Sequence, residues 1–153
     1  MTITLRAGVL NSGIQQNGTE FLTVDTSNNA TLSNNLTVTG VTTLVGYSES
    51  VVVIGTVSST STLSLVSGTV QTATLTASTA CTFTMPTATA GKSFILLLKQ
   101  AATTGNGTAT FTSVKWATSG APTITATAGK MDILTFVADG TNWYGSATQG
   151  YTP

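Results

Sequence analysis

From Ser50 to Gly91 the chain carries no charged residue, and through much of that stretch Thr alternates with Val, Ala, Leu or Phe, as in QTATLTASTACTFTM. Alternation with period two is the pattern of a strand with one face buried. Thr and Val are stiff at χ1 and sit well on a pleated sheet. No segment shows a convincing apolar period of 3.6 residues, and the Ala residues lie inside the alternating runs. The chain is therefore expected to be all-β.

Strands are predicted at Val51–Val57, Thr62–Val66, Val70–Ala77, Cys81–Met85, Ser93–Gln100, Thr108–Val114, Thr123–Thr127, Asp132–Ala138 and Asn142–Ser146, with Gly, Pro, Asn or Ser in most of the gaps. Many short strands separated by turn signals predict a β-sandwich or jelly roll over residues 47–153. FILLL at 94–98 is apolar on both faces, so it should be a central strand covered on both sides. Thr72, Thr74 and Thr76 share one face, expected to be solvated or at a polar interface. Asn-Gly in TGNGT at 104–108 and Asp139-Gly140 are hairpin signals, because both supply the positive φ of a primed turn.

Residues 1–46 read differently, as a thin β extension. A first strand is expected in residues 1–10, a turn-rich connection from Asn11 to Gly18, and a strand from Glu20 to Asp25. SNNATL at 27–32 is then followed by SNNLTV at 33–38, a two-copy repeat of an Asn-Asn turn and a half-apolar strand. Stacked repeats need neighbours, commonly three or more, to make a core. Other chains could supply them, with Leu32, Leu36, Val38, Val41 and Leu44 as a small shared core; the alternative is a meander packed on the rest of the same chain.

The composition excludes several functions. Only 7% of the residues are charged and the formal net charge is zero, against roughly 25% charged in an average domain. No basic patch could release counterions from nucleic acid, and no Lys/Arg-rich amphipathic stretch suits a membrane surface. Mean hydropathy is +0.30, yet the longest apolar run is Phe94–Leu98, far short of the ~20 residues of a spanning helix. MTITLRAGVLNSG does not read as a signal peptide, since its apolar stretch is short and broken by Arg6. The expectation is synthesis and folding in a cytoplasm.

Catalytic patterns fail one by one. The chain has no His, which removes Ser-His-Asp and Cys-His arrangements and the usual zinc sites. The single Cys81 reads as a small buried hydrophobe. AGKS at 90–93 resembles the end of a phosphate loop, but the position of its first Gly holds Pro86 and SFILLLK reads as a strand, not a helix. The acids Glu20, Asp25, Glu49, Asp132 and Asp139 show neither calcium-loop spacing nor a glycosidase-like pairing. The sequons at Asn17, Asn29, Asn35 and Asn106 are expected by chance in so Thr-rich a chain. No enzyme, cofactor or metal is expected. Trp116, Trp143 and Tyr144 remain. Exposed, they could stack on a sugar or anchor a partner; packing in the core or between subunits is the reading we favour.

LTASTACTFTMPTATAGKSFILLLKQ and SVKWATSGAPTITATAGKMDILTFVADGTNWYG resemble a β-rich domain of structural and fibre proteins of tailed bacteriophages. The pieces that carry the resemblance are Val114–Trp116 before Pro122, Asp132–Phe136 and Thr141–Gly145. SNNATLSNNLTVTG is similar to shaft segments of phage tail fibres. The resemblance implies a homotrimer on the virion surface, contacting other capsid or tail proteins, and implies no catalytic residue. The chain is short for a long tail fibre, which favours a capsid decoration, head fibre, tip or adaptor. The alternative is an adhesin tip that binds a host surface glycan.

Overall fold

The computed structural model describes residues 14–16, 19–24, 27, 29–32 and 36–153. The chain divides into two units, Met1–Gly46 and Tyr47–Pro153. Every regular element among the described residues is a strand.

In the first unit β1 (Ile14–Gln16), β2 (Thr19–Val24) and β3 (Ala30–Leu32) form an antiparallel sheet in that order. Ile14 faces Leu22, which also pairs with Leu32. The expected strand over residues 1–10 lies outside the described residues. The expected connection from Asn11 to Gly18 contains β1, because the alternating Ile-Gln-Gln stretch finds a partner in β2. The two repeat copies differ: ATL of the first is β3, whereas Leu36–Val38 of the second form no strand.

The second unit contains β4 (Val51–Val57), β5 (Thr60–Thr62), β6 (Val70–Leu75), β7 (Ala80–Thr84), β8 (Ser93–Lys99), β9 (Thr108–Phe111), β10 (Val114–Lys115), β11 (Met131–Ala138) and β12 (Trp143–Tyr151). From β4 to β10 successive strands alternate between two sheets, and β11 and β12 stay in the larger. The larger has the order β10-β12-β11-β8-β6-β4, the smaller β5-β7-β9. β4, β6 and β8 are mutually parallel, and so are β5, β7 and β9. Each pair β4–β5, β6–β7 and β8–β9 is thus one turn of a coil laid beside the last.

This corrects the sandwich or jelly-roll expectation. Such folds pair their strands mainly antiparallel. Here the topology points to a short β-solenoid, closed at one end by the antiparallel pair β11–β12. The register stacks like on like, as solenoids do. Thr60, Thr82 and Thr110 form one row, with hydroxyls of Thr82 and Thr110 3.2 Å apart. Phe83 lies beside Phe111 with ring centroids 5.2 Å apart. Val51, Val70 and Ile95 form a row on the large sheet.

Inward residues of both sheets make one core: Ala73 and Leu75, Cys81 and Phe83, Phe94, Leu96 and Leu98, Leu134 and Phe136, and Trp143. Phe94 stacks on Phe136 at 4.7 Å and takes the edge of Trp143 at 5.2 Å. Buried polar side chains tie the connections to the core. Gln71 donates to the carbonyls of Ser64 and Gly68. Gln100 donates to those of Gly107 and Thr125 and accepts from the Gly107 N–H. Among the described residues no buried side-chain nitrogen or oxygen lacks a partner, as close-packed interiors require.

The two turn signals have different outcomes. Asp139-Gly140 is the β11–β12 hairpin, with Gly140 at φ 102 and the Asp139 carboxylate accepting from the N–H of Thr141 and of Asn142. TGNGT does bend the chain, with Asn106 at φ 62, but β9 continues to the other sheet and the Asn106 N–H is taken by Ala126. The expected strand Thr123–Thr127 does not form. Its backbone is held instead by Gln100, Asp132 and Gln149.

Candidate functional site

No group of three or more His, Cys, Asp or Glu among the described residues could hold a metal ion, and no helix there is long and apolar enough to cross a membrane. Cys81 is buried and its thiol donates to the Val57 carbonyl at 3.1 Å. At AGKS, Ser93 opens strand β8. Asp132 is buried and accepts from the N–H of Thr125 and Gly150 and from the Gln149 amide, at 2.7, 3.0 and 3.1 Å. Burial pushes its pKa up, but these hydrogen bonds together outweigh that and hold it below the ordinary carboxylate value. Asp139 sits at the hairpin turn, held low by the N–H groups of Asn142 and Thr141 and by the Tyr144 hydroxyl. That hydroxyl donates to Asp139 at 2.9 Å, and the contact raises the pKa of Tyr144. These two acids therefore work on the backbone of their own chain.

The aromatic candidates separate. Trp143 is buried in the core, and its indole N–H donates to the Pro86 carbonyl at 2.7 Å. Trp116 is half-buried, with Phe111 and Phe136 each 6.0 Å away. Its ring lies over Gly145, where a Cβ would come within 2.6 Å of it. Only Tyr144 is open, at 49% exposure.

Among the described residues two groups of apolar side chains stand open, apart from Val66, Tyr144 and Tyr151. The first is the segment from Leu36 to Ser50, which forms no strand. There Leu36, Val41 and Leu44 are 67%, 93% and 63% exposed; Val38, Val45 and Tyr47 are exposed too, and so is Leu32 at the end of β3. The shared-core candidates Leu32, Leu36, Val38, Val41 and Leu44 all lie open within one chain, unlike Trp143 and Trp116.

The second is the outer face of the large sheet, which the sequence reading anticipated only on the Thr72 side of β6, as a solvated or polar face, and not as an apolar one. Its rows run Val51–Val70–Ile95–Thr135 and Val53–Thr72–Leu97–Ile133. Ile95, Val51, Val53 and Val137 are exposed, and Leu97 and Ile133 half-buried. FILLL is thus covered on one side only. A groove of about 310 Å³ opens on this face, lined by Tyr47, Glu49, Thr69, Ile95, Thr135 and Val137 among others. At its rim the Thr69 hydroxyl donates to the Glu49 carboxylate. The missed signal was the two-faced apolar character of FILLL and of Val51–Ile54. The expectation for FILLL was cover on both sides, and only the neighbouring Thr72 face was expected to be open or at a polar interface.

The geometry defines an all-β protein whose distinguishing features are open apolar surfaces. Comparison with protein-family models, with curated proteins and with solved structures gives no match.

Proposed function

We propose that this chain is a structural protein that works as a homotrimer, a small fibre or decoration protein on the capsid or tail of a tailed bacteriophage, built on a short β-solenoid. The observation that carries the reading is the Leu32–Tyr47 segment. Seven large apolar side chains stand open on a stretch with no charged residue from Thr26 to Ser48. Open large apolar side chains this closely spaced along a chain are suited to association, since soluble monomers rarely leave large apolar patches uncovered. Asn and Thr between them can hydrogen-bond across chains. The threefold count and the virion setting rest on the resemblance carried by Val114–Trp116, Asp132–Phe136 and Thr141–Gly145. The glycan-binding alternative loses two of its three aromatics, since Trp143 is buried and Trp116 is packed against Phe111 and Phe136.

Two experiments test the proposal. Light scattering on the full chain and on a chain beginning at Tyr47 should give a trimer for the first and weaker association for the second. Density matching Tyr47–Pro153 in a virion reconstruction would locate the protein; absence of the protein from purified virions would refute the setting.

A further inference from the structure

We infer that the outer face of the large sheet, around the Tyr47–Glu49–Thr69 groove, is a contact between copies of this chain. The inference rests on the trimer reading above and adds to it a second interface, on the folded unit itself.

Three observations carry it. First, β8 is apolar on both faces, yet only Phe94, Leu96 and Leu98 are buried by this chain; Ile95 remains 39% exposed at the centre of the opposite face. A strand of that composition belongs between two layers, and the outer layer is missing within one chain. Second, the middle of the face is free of charge: Val51, Val53, Val70, Thr72, Ile95 and Thr135 are its central residues. A second copy laid against it meets no buried unpaired charge, whose desolvation would oppose docking.

Third, the exposed charge differs in balance between the two ends of the face, two acids and one lysine at one end against two lysines at the other, where Asp132 is buried on the inner side. Glu49 lines the groove at the Ser93 end, where Asp139 and Lys92 also lie. Lys99 and Lys130 lie at the other end, beside Met131. The ends are separated by about 20 Å along β8 from Ser93 to Lys99, at ~3.3 Å per residue. In a closed ring of head-to-tail contacts the Glu49 end of one copy meets the Lys99 end of the next. The same surface then supplies both halves of every contact, and three such faces enclose a shared apolar centre.

The test is made on the full chain by sedimentation velocity, with circular dichroism and thermal melting as folding controls. Ile95→Asp places a charge at the centre of the face on a side chain already open to solvent. It should leave the fold intact and weaken association roughly tenfold or more, as a central interface position does. Glu49→Lys and Lys99→Glu should each weaken association by about two- to fivefold, in the range of exposed ion pairs, and the double reversal should restore it. A folded Ile95→Asp chain that stays as tightly trimeric as the parent overturns the inference while leaving the trimer reading in place. Single reversals without effect, or a double reversal as weak as either single, overturn the head-to-tail arrangement. A parent that is dimeric, and becomes monomeric on Ile95→Asp, upholds the face but overturns the threefold count. A parent that is monomeric at micromolar concentration overturns both.

Discussion

The Leu32–Tyr47 segment and the solenoid-like unit use the same small set of residues to opposite ends. In the unit, alternation sends Leu75, Phe83, Leu96, Leu134 and Phe136 inward, where none is more than 1% exposed. In the segment Leu36, Val38, Val41 and Leu44 stand exposed on backbone that forms no strand. The difference lies in neighbours. A Thr/Val strand becomes stable when another strand lies beside it and another sheet lies on it. The second unit supplies both from its own coils. The Leu36–Ser50 segment forms no strand, and its apolar residues are exposed, which is the basis of the association proposed above.

That contrast is broken most easily in the core. Trp143→Ala removes an indole that closes on Phe94 and donates to Pro86; it should cost about 3–5 kcal/mol, read as a lowered denaturation midpoint. Leu96→Ala, at a fully buried position, should cost about 2–5 kcal/mol. An unchanged midpoint would mean that β8 is not the centre of the sheet. Gly145→Val should displace the Trp116 ring, since even a Cβ comes within 2.6 Å of it; overpacking of this kind costs about 1–3 kcal/mol, with a shift in Trp fluorescence.

Smaller effects should follow from the buried carboxylate. The pKa of Asp132 is held below its ordinary value by hydrogen bonds from Thr125, Gln149 and Gly150, against the opposing effect of burial. For a lowered pKa the stabilisation is complete above the unfolded value, about 3.9, and is lost as pH falls through the lower folded value. Acid should therefore destabilise the unit. Asp132→Asn should cost about 1–3 kcal/mol at neutral pH and flatten the acid limb of a stability–pH curve. A variant with the parent's acid limb would assign that limb to other carboxylates. The smallest effect on folding belongs to the segment: Val41→Ser, at an open position, should stay within about 0.5 kcal/mol of the parent while measurably weakening association.

Strand positions were readable in the sequence because alternation reports burial directly: β4, β8 and β11 lie close to where Val51–Val57, FILLL and Asp132–Ala138 place them. Pairing was not. A turn residue says where the chain bends, not which strand it meets next. Asp139-Gly140 closes a hairpin because β12 follows at once on the same sheet, whereas Asn106 leads to the opposite sheet. The coil repeat was hidden for a related reason. Val51 pairs with Val70 and Val70 with Ile95, so successive coils differ in length and no fixed period appears. The rows Thr60–Thr82–Thr110 and Phe83–Phe111 become visible only once the strands are in register. The open segment was legible from its uncharged, half-apolar repeat. The groove was not, because Glu49, Thr69, Ile95 and Thr135 come from separate parts of the chain.

If apolar surface left open by one chain is covered by others, sedimentation velocity of the full chain across micromolar concentrations should show one species at three times the 15.5 kDa chain mass. Making Val41 or Ile95 polar should weaken that association. A parent chain that sediments as a single 15.5 kDa species, folded and soluble throughout that range, would contradict it.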